Sequence, residues 1–304
     1  MPRFHDFVRL ALPILFAAFG LAAPAMAAPR CDLGIGTQRV AVGSTGRSML
    51  VHIPAGVEEI RDLPIVFLLH GSRGTGKAIL ENSGLAATSD RHAFLLAAPD
   101  AGIRTGQGFA WNIPGIPTVT GAMPTANDPD DVAYLVATID WLAMQRCIDR
   151  KRVYATGLSG GGRMASWLGC VASDRFAAIA PVVGLRAGNP LPSDPKRPDP
   201  KTCQPENPMP VYAFAGDSDR INPIDGGGAG YWQYSMATAL GRWAELGACE
   251  MKPQNVRVSD TAGEQIYSFC RGDAQVVGRI VRGRGHEWVA DNEAMWSFFA
   301  RHRR

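Results

Sequence analysis

No Cys-x-x-Cys pair occurs in the 304 residues, so the commonest signature of a structural zinc site or a dithiol redox centre is missing. Neither sign of charge is in excess: 31 Lys and Arg stand against 28 Asp and Glu, a net +3. Nothing therefore points to nucleic acid or an anionic membrane as the main partner. After residue 27 no apolar run approaches the ~20 residues needed to cross a bilayer. No fixed-period repeat marks a solenoid.

What is present begins with a targeting pattern. Arg3 and Arg9 make a positive start, Leu10–Ala23 is apolar with Pro13 inside it, and Ala25-Met26-Ala27 fits a small-residue cleavage site. Residues 1–27 are read as a signal peptide and 28–304 as one domain, exported to the periplasm or the medium. No Cys stands at the cleavage point, so no lipid anchor is expected. All six cysteines, Cys31, Cys147, Cys170, Cys203, Cys249 and Cys270, lie after it. In an oxidising compartment an even count predicts disulfides, and six cysteines allow fifteen pairings.

The chain is organised around Arg152–Arg163. A β-branched and aromatic run, Arg152–Thr156, reads as a strand. Gly157-Leu158-Ser159-Gly160-Gly161 follows, and Met164–Cys170 reads as a helix. Strand, sharp turn and helix around G-x-S-x-G describe a nucleophile elbow, which lifts a serine hydroxyl clear at the end of a sheet. Flanking glycines remove the Cβ atoms that would collide there.

On either side, buried strands alternate with helices. Strands are predicted at Gln38–Val42, Arg47–Ile53, Leu63–His70, Phe94–Ala98, Phe176–Val183, Pro210–Ala215, Val256–Val258, Gln265–Phe269 and Val276–Val281. Helices are predicted at Lys77–Arg91, at Pro129–Arg146 with Asp128 as its cap, at Ala229–Leu246 and at Ala290–His302. Gly102–Asn127 and Gly188–Pro208 read as long loops. The pattern is α/β, with a mostly parallel central sheet covered by helices on both faces.

A serine nucleophile needs a base, and the base an orienting carboxylate. Of six histidines, His286 follows the serine and sits in a Gly-flanked loop after a strand. It is the base by elimination and position. His70, upstream of the serine, is assigned to shaping its loop. Asp217 and Asp219, at the end of the strand Pro210–Ala215, are both candidates for the acid, and spacing does not choose between them. The oxyanion donors are expected to be the backbone N–H of Gly160 and that of Ser72, with Arg73 in reserve. Trp111 and Trp288 are candidate substrate-pocket walls.

Two competing motifs fail on their own terms. Gly71–Lys77 mimics a phosphate-binding loop, but Ala78 replaces the hydroxyl residue that would hold magnesium. Asp217-x-Asp219 hints at calcium, but Ile221 and Asn222 occupy positions that need a ligand and a glycine. Neither a metal nor a cofactor is expected.

Taken together, Leu69-His70-Gly71, Ala110-Trp111-Asn112, Asp130-Asp131-Val132, Arg152–Gly162, Asp174–Val182, Gly216–Asp219 and Gly285-His286-Glu287-Trp288 resemble the polyhydroxybutyrate-depolymerase-like and feruloyl-esterase-like serine esterases, a secreted α/β-hydrolase group. The resemblance implies an α/β-hydrolase catalytic domain over 28–304, a Ser159–His286–Asp219 triad with Asp219 rather than Asp217 as the acid, and hydrolysis of feruloyl, aryl or short-chain acyl esters. Hydrolysis of poly-3-hydroxyalkanoate or its oligomers is the alternative, and a catalytically inactive binding protein a remote one. It also implies the disulfides Cys249–Cys270, Cys170–Cys203 and Cys31–Cys147. The family's usual cysteines after the His-Gly pair and before the loop tryptophan are replaced here by Ser72 and Ala110.

Overall fold

The structure, a computed structural model, describes residues 1–2 and 31–304; the signal-peptide reading lies outside these residues. The fold opens with a hairpin, β1 (Gly36–Ala41) and β2 (Ser48–Ile53), then β3 (Leu63–Leu69), α1 (Gly76–Asn82), α2 (Leu85–His92) and β4 (Leu95–Pro99). Two short strands, β5 (Ile103–Thr105) and β6 (Gly108–Ala110), precede α3 (Asp131–Met144), β7 (Ile148–Leu158), α4 (Gly160–Val171) and β8 (Ala178–Val182). A small hairpin of β9 (Pro190–Leu191) and β10 (Asp194–Pro198) leads to β11 (Val211–Gly216) and α5 (Met236–Leu246). The chain closes with β12 (Gln254–Arg257), β13 (Ala262–Tyr267), β14 (Val276–Val281) and α6 (Asn292–Phe299).

Ten of these strands form one sheet in the order β1-β2-β4-β3-β7-β8-β11-β14-β13-β12. From β4 across to β14 every pairing is parallel, and the outer pairings at both margins are antiparallel. The alternation of β3 shows how the layers divide. Ile65, Phe67 and Leu69 pack with residues of α3, α4 and α5, whereas Val66 and Leu68 pack with α1, α2 and α6. Both faces of the central strands are thus covered, which is why they read as unbroken apolar runs. All parallel strands end at one rim, and the turns that follow β3, β7, β11 and β14 gather there.

Three expectations are corrected in detail. The helix predicted over Lys77–Arg91 is two helices, because Gly84 takes φ +67° and breaks it. Asp130, not Asp128, caps α3, its carboxylate accepting the Ala133 N–H at 2.9 Å; Asp128 instead closes a turn on Thr125. The helix expected from Ala229 starts only at Met236, where Ser235 supplies the cap; the segment before it turns on itself through Gly226–Gly228 and Trp232.

Three disulfides are formed, Cys31–Cys147, Cys170–Cys203 and Cys249–Cys270. The first ties the start of the described domain to the entry of β7, and the second ties the loop around β9 and β10 to α4.

The closing helix carries a pH dependence. His302 follows α6, packs its ring on Phe298, and has a buried Nε2 without a partner among the described residues. Burial, reinforced by Arg301 and Arg304, moves its pKa down to about 4. His70 is shifted in the same direction, by burial against weaker effects of Gly71 and Asp100. An unfolded histidine takes its proton near pH 6.5. Between 6.5 and about 4 the unfolded chain therefore binds more protons than the folded one, and stability rises with pH. Thermal unfolding should shift to lower temperature on acidification through that window, His302 contributing on the order of 2 kcal/mol. A melting temperature that stays level from pH 6.5 to 4 in the wild type would contradict this; His302→Phe should flatten the slope.

Candidate active site

β7 ends at Leu158 and α4 begins at Gly160, so Ser159 alone makes the turn between them. Its φ is +54° and its ψ −109°, a conformation that costs a non-glycine residue free energy and persists only where its surroundings enforce it. They do so through the Ser159 N–H, which donates to Val182 O at 2.8 Å, and through Ser159 O, which accepts the Arg163 N–H at 2.9 Å. Close packing of the turn requires its glycines. A Cβ on Gly161 would lie 2.0 Å from Leu69 O, and one on Gly157 would lie 2.5 Å from the same oxygen.

Two strands away, the turn after β11 carries Asp219. Its Oδ1 accepts the N–H groups of Ile221 and Asn222, both at 2.8 Å, and its Oδ2 accepts Nδ1–H of His286 at 2.8 Å. Asn222 in turn donates from its side chain to Val183 O at 2.6 Å, fixing this turn to the end of β8. Burial raises the carboxyl pKa, but the hydrogen bonds from His286, Asn222 and Ile221 outweigh it and hold Asp219 below the ordinary aspartate value. It is thus an anion that fixes the imidazole with its proton on Nδ1 and leaves Nε2 as the free acceptor. Asp217 goes elsewhere: its Oδ1 accepts the Gly283 N–H at 2.7 Å, tying the turn after β11 to the loop that carries His286. Ser159 Oγ makes no hydrogen bond among the described residues. In ligand-free sites such bonds are often long and tighten only around substrate.

Beyond the end of β3, Ser72 lies against the elbow. A Cβ on Gly160 would stand 2.9 Å from the Ser72 nitrogen. Neither the Ser72 nor the Gly160 N–H donates to an acceptor among the described residues, so two donors on adjoining segments are left without a backbone partner there. Behind Ser72, both nitrogens of His70 are used. Nδ1–H donates to Gly71 O at 2.7 Å, and Nε2 accepts the Ala101 N–H at 3.0 Å. The Trp111 ring lies tilted against this ring, centroids 5.0 Å apart, and donates its indole N–H to His70 O at 2.8 Å. Its other edge lines a small cavity shared with Ser72, Gly160 and Arg163.

Comparison with known proteins agrees with this architecture. Residues 94–186, from β4 through the elbow, match the prolyl oligopeptidase family. Feruloyl esterase B of Piromyces equi is 27% identical over 260 residues, 83% of this chain and 44% of that protein. Poly(3-hydroxyalkanoate) depolymerase C of Paucimonas lemoignei is 27% identical over 266 residues, 80% of this chain and 59% of that one. The chain therefore spans about half the length of these relatives. The solved acetyl xylan esterase of Aspergillus awamori superposes with a TM-score of 0.60 at 15% identity, over 87% of this chain and 99% of that one. The chain has the α/β-hydrolase fold and is similar to feruloyl esterases and a poly(3-hydroxyalkanoate) depolymerase.

In this α/β-hydrolase the structure gathers Ser72, Trp111, Ser159 and Gly160 on one side of the rim and couples Asp219 to His286 on the other. It does not bring Trp288 into the cavity beside Trp111. The Trp288 indole donates to Asn292 Oδ1 at 3.0 Å, and the ring borders a separate surface depression with Arg279 and Ala290. Packing against the start of α6 explains this tryptophan better than contact with a ligand at Ser159. Two residues near the site carry no sequence signal of their role. Arg163, on the first turn of α4, and Arg186, beyond β8, are both buried. Arginine in a helix ordinarily reads as a solvated residue, and only the Gly-rich run that packs α4 against the sheet hints otherwise.

Proposed function

We propose that this α/β-hydrolase is a serine carboxylesterase, with Ser159 as nucleophile, His286 as general base and acid, and Asp219 as the carboxylate that orients the imidazole. The observation that carries the reading is the His286–Asp219 hydrogen bond, which leaves Nε2 as a free acceptor at the rim that also carries a strained serine and two N–H groups without an acceptor among the described residues. In the proposed mechanism His286 Nε2 takes the Ser159 proton as Oγ attacks the ester carbonyl. The N–H groups of Gly160 and Ser72 donate to the oxyanion of the tetrahedral intermediate, and the negative Asp219 stabilises the imidazolium. His286 then protonates the departing alcohol. Water, deprotonated by the same imidazole, releases the acid from the acyl-enzyme and restores the serine.

Feruloyl, aryl or short-chain acyl esters are the proposed substrates, supported by the feruloyl esterase relative. Poly-3-hydroxyalkanoate or its oligomers are the second reading, supported by the depolymerase relative. Export to the periplasm or the medium is proposed from the N-terminal targeting pattern and accords with the three disulfides.

An alkyl fluorophosphonate tests the nucleophile directly: the serine oxygen displaces fluoride and forms a stable phosphonate ester. Stoichiometric labelling of the peptide that carries Ser159, in step with loss of p-nitrophenyl acetate hydrolysis, is the expected result. Hydrolysis that persists while Ser159 stays unlabelled would overturn the assignment. Parallel assays on methyl ferulate, acetylated xylan and polyhydroxybutyrate then rank the substrates.

A further inference from the structure

Arg163 is only 5% exposed. Its Nη2 donates to Ser72 Oγ at 3.2 Å and lies 3.5 Å from where a Cβ on Gly160 would stand, so the guanidinium borders both proposed oxyanion donors. Its Nη1 is buried with no hydrogen-bond partner among the described residues, and the group lines the cavity shared with Trp111. The guanidinium carbon stands 4.1 Å from the Tyr231 ring centroid. No carboxylate pairs with it among the described residues. The neighbouring charge is a second cation, Arg186, 3% exposed, whose Nε and Nη2 also lack partners among the described residues. Among the described residues the Arg186 guanidinium donates only to Tyr234 O, at 2.9 Å, and its central carbon stands 3.5 Å from the Trp232 ring centroid and 4.3 Å from that of Tyr234.

Buried charges are ordinarily paired, because desolvation costs several kcal/mol per ion unless a counter-charge offsets it. A guanidinium stays protonated even so; burial lowers the pKa of each arginine only to about 10. Stacking on aromatic faces offsets part of the cost and leaves the in-plane N–H groups unused. Holding the Ser72 hydroxyl needs one N–H of five and no charge at all. Two neighbouring cations that no carboxylate pairs among the described residues, one of them lining a cavity beside the reacting centre, make a site electrostatically suited to an anion. The cavity, of about 10 Å³, has room for one water-sized group, which suits a carboxylate oxygen and not an aromatic ring.

We propose that Arg163, backed by Arg186, is an anion subsite that selects esters bearing a carboxylate a few bonds from the scissile carbonyl. The proposal rests on the serine-esterase reading of the same site. The carboxylate can belong to the acid part or to the alcohol part of the ester, and the test separates the two.

Two pairs of substrates matched in shape and differing in charge decide it. For the acid side, methyl hydrogen succinate is compared with methyl 4-oxopentanoate; for the alcohol side, 3-acetoxypropanoate with 4-acetoxybutan-2-one. In the wild-type enzyme at neutral pH, kcat/KM for the charged member of at least one pair should exceed that of its neutral partner by about tenfold or more, mainly through KM. In Arg163→Gln that ratio should fall to about one. Ratios at or below one in both wild-type pairs, with the neutral members hydrolysed, would overturn the subsite and leave the esterase reading intact. Arg163 would then be only a clamp on Ser72, and Arg163→Gln would slow charged and neutral esters equally. Failure to hydrolyse any of the four, or p-nitrophenyl acetate, would overturn both readings. Because the wild-type ratios are decisive alone, a variant that does not fold leaves the test standing.

Discussion

Ser159→Ala should lower kcat on p-nitrophenyl butyrate by about four orders of magnitude or more, with the residual rate owed to the remaining donors and to binding. The size follows from what is removed. Without Oγ no acyl-enzyme forms, and the imidazole can act only on water. The protein itself should persist, because the constraints on this turn are backbone ones: the Ser159 N–H still reaches Val182 O, and Ser159 O still accepts from Arg163. Activity should therefore disappear while the far-ultraviolet circular dichroism and the melting temperature stay close to wild type. Equal rates for wild type and variant would remove the serine from the chemistry and favour the reading of an inactive binding protein.

The second large effect separates two neighbouring aspartates. Asp219→Asn should reduce kcat by roughly 10³–10⁴-fold, because an amide no longer stabilises the imidazolium and, if its NH2 faces the ring, reverses the tautomer. Asp217→Asn should cost no more than a few-fold, since the amide oxygen can still accept the Gly283 N–H and keep the two loops joined. The measurement is steady-state kinetics of both variants on one ester. The reverse ranking would move the acid role to Asp217.

The elbow was legible from sequence because it is local: five residues, a strand before them and a helix after, with glycines where the backbone leaves no room for a Cβ. The pairing of His286 with an aspartate was legible only as chain order. Asp217 and Asp219 lie two residues apart at the end of one strand, and what separates them is which loop reaches which oxygen. Helix ends were less readable. Asp128, Asp130 and Asp131 are equivalent on paper; the choice of Asp130 as cap depends on Asp131 being drawn inward by the Asn112 N–H and Arg47. The buried arginines were not legible at all, because their burial is imposed by distant loops, around Tyr231, Trp232 and Tyr234, that the sequence does not place next to α4.

One consequence follows from the way the rim is assembled. Ser159, Asp219 and His286 follow strands of the parallel core, whereas the cavity beside Trp111 is closed by Ile113, Ile116, Pro117 and Thr118 from the loop between β6 and α3. Ser72, Gly160 and Arg163 share that cavity, but the loop that closes it can change without altering any of them or the three side chains of the proposed triad. Divergence or grafting of that single loop offers a route to a new ester preference on an unchanged engine.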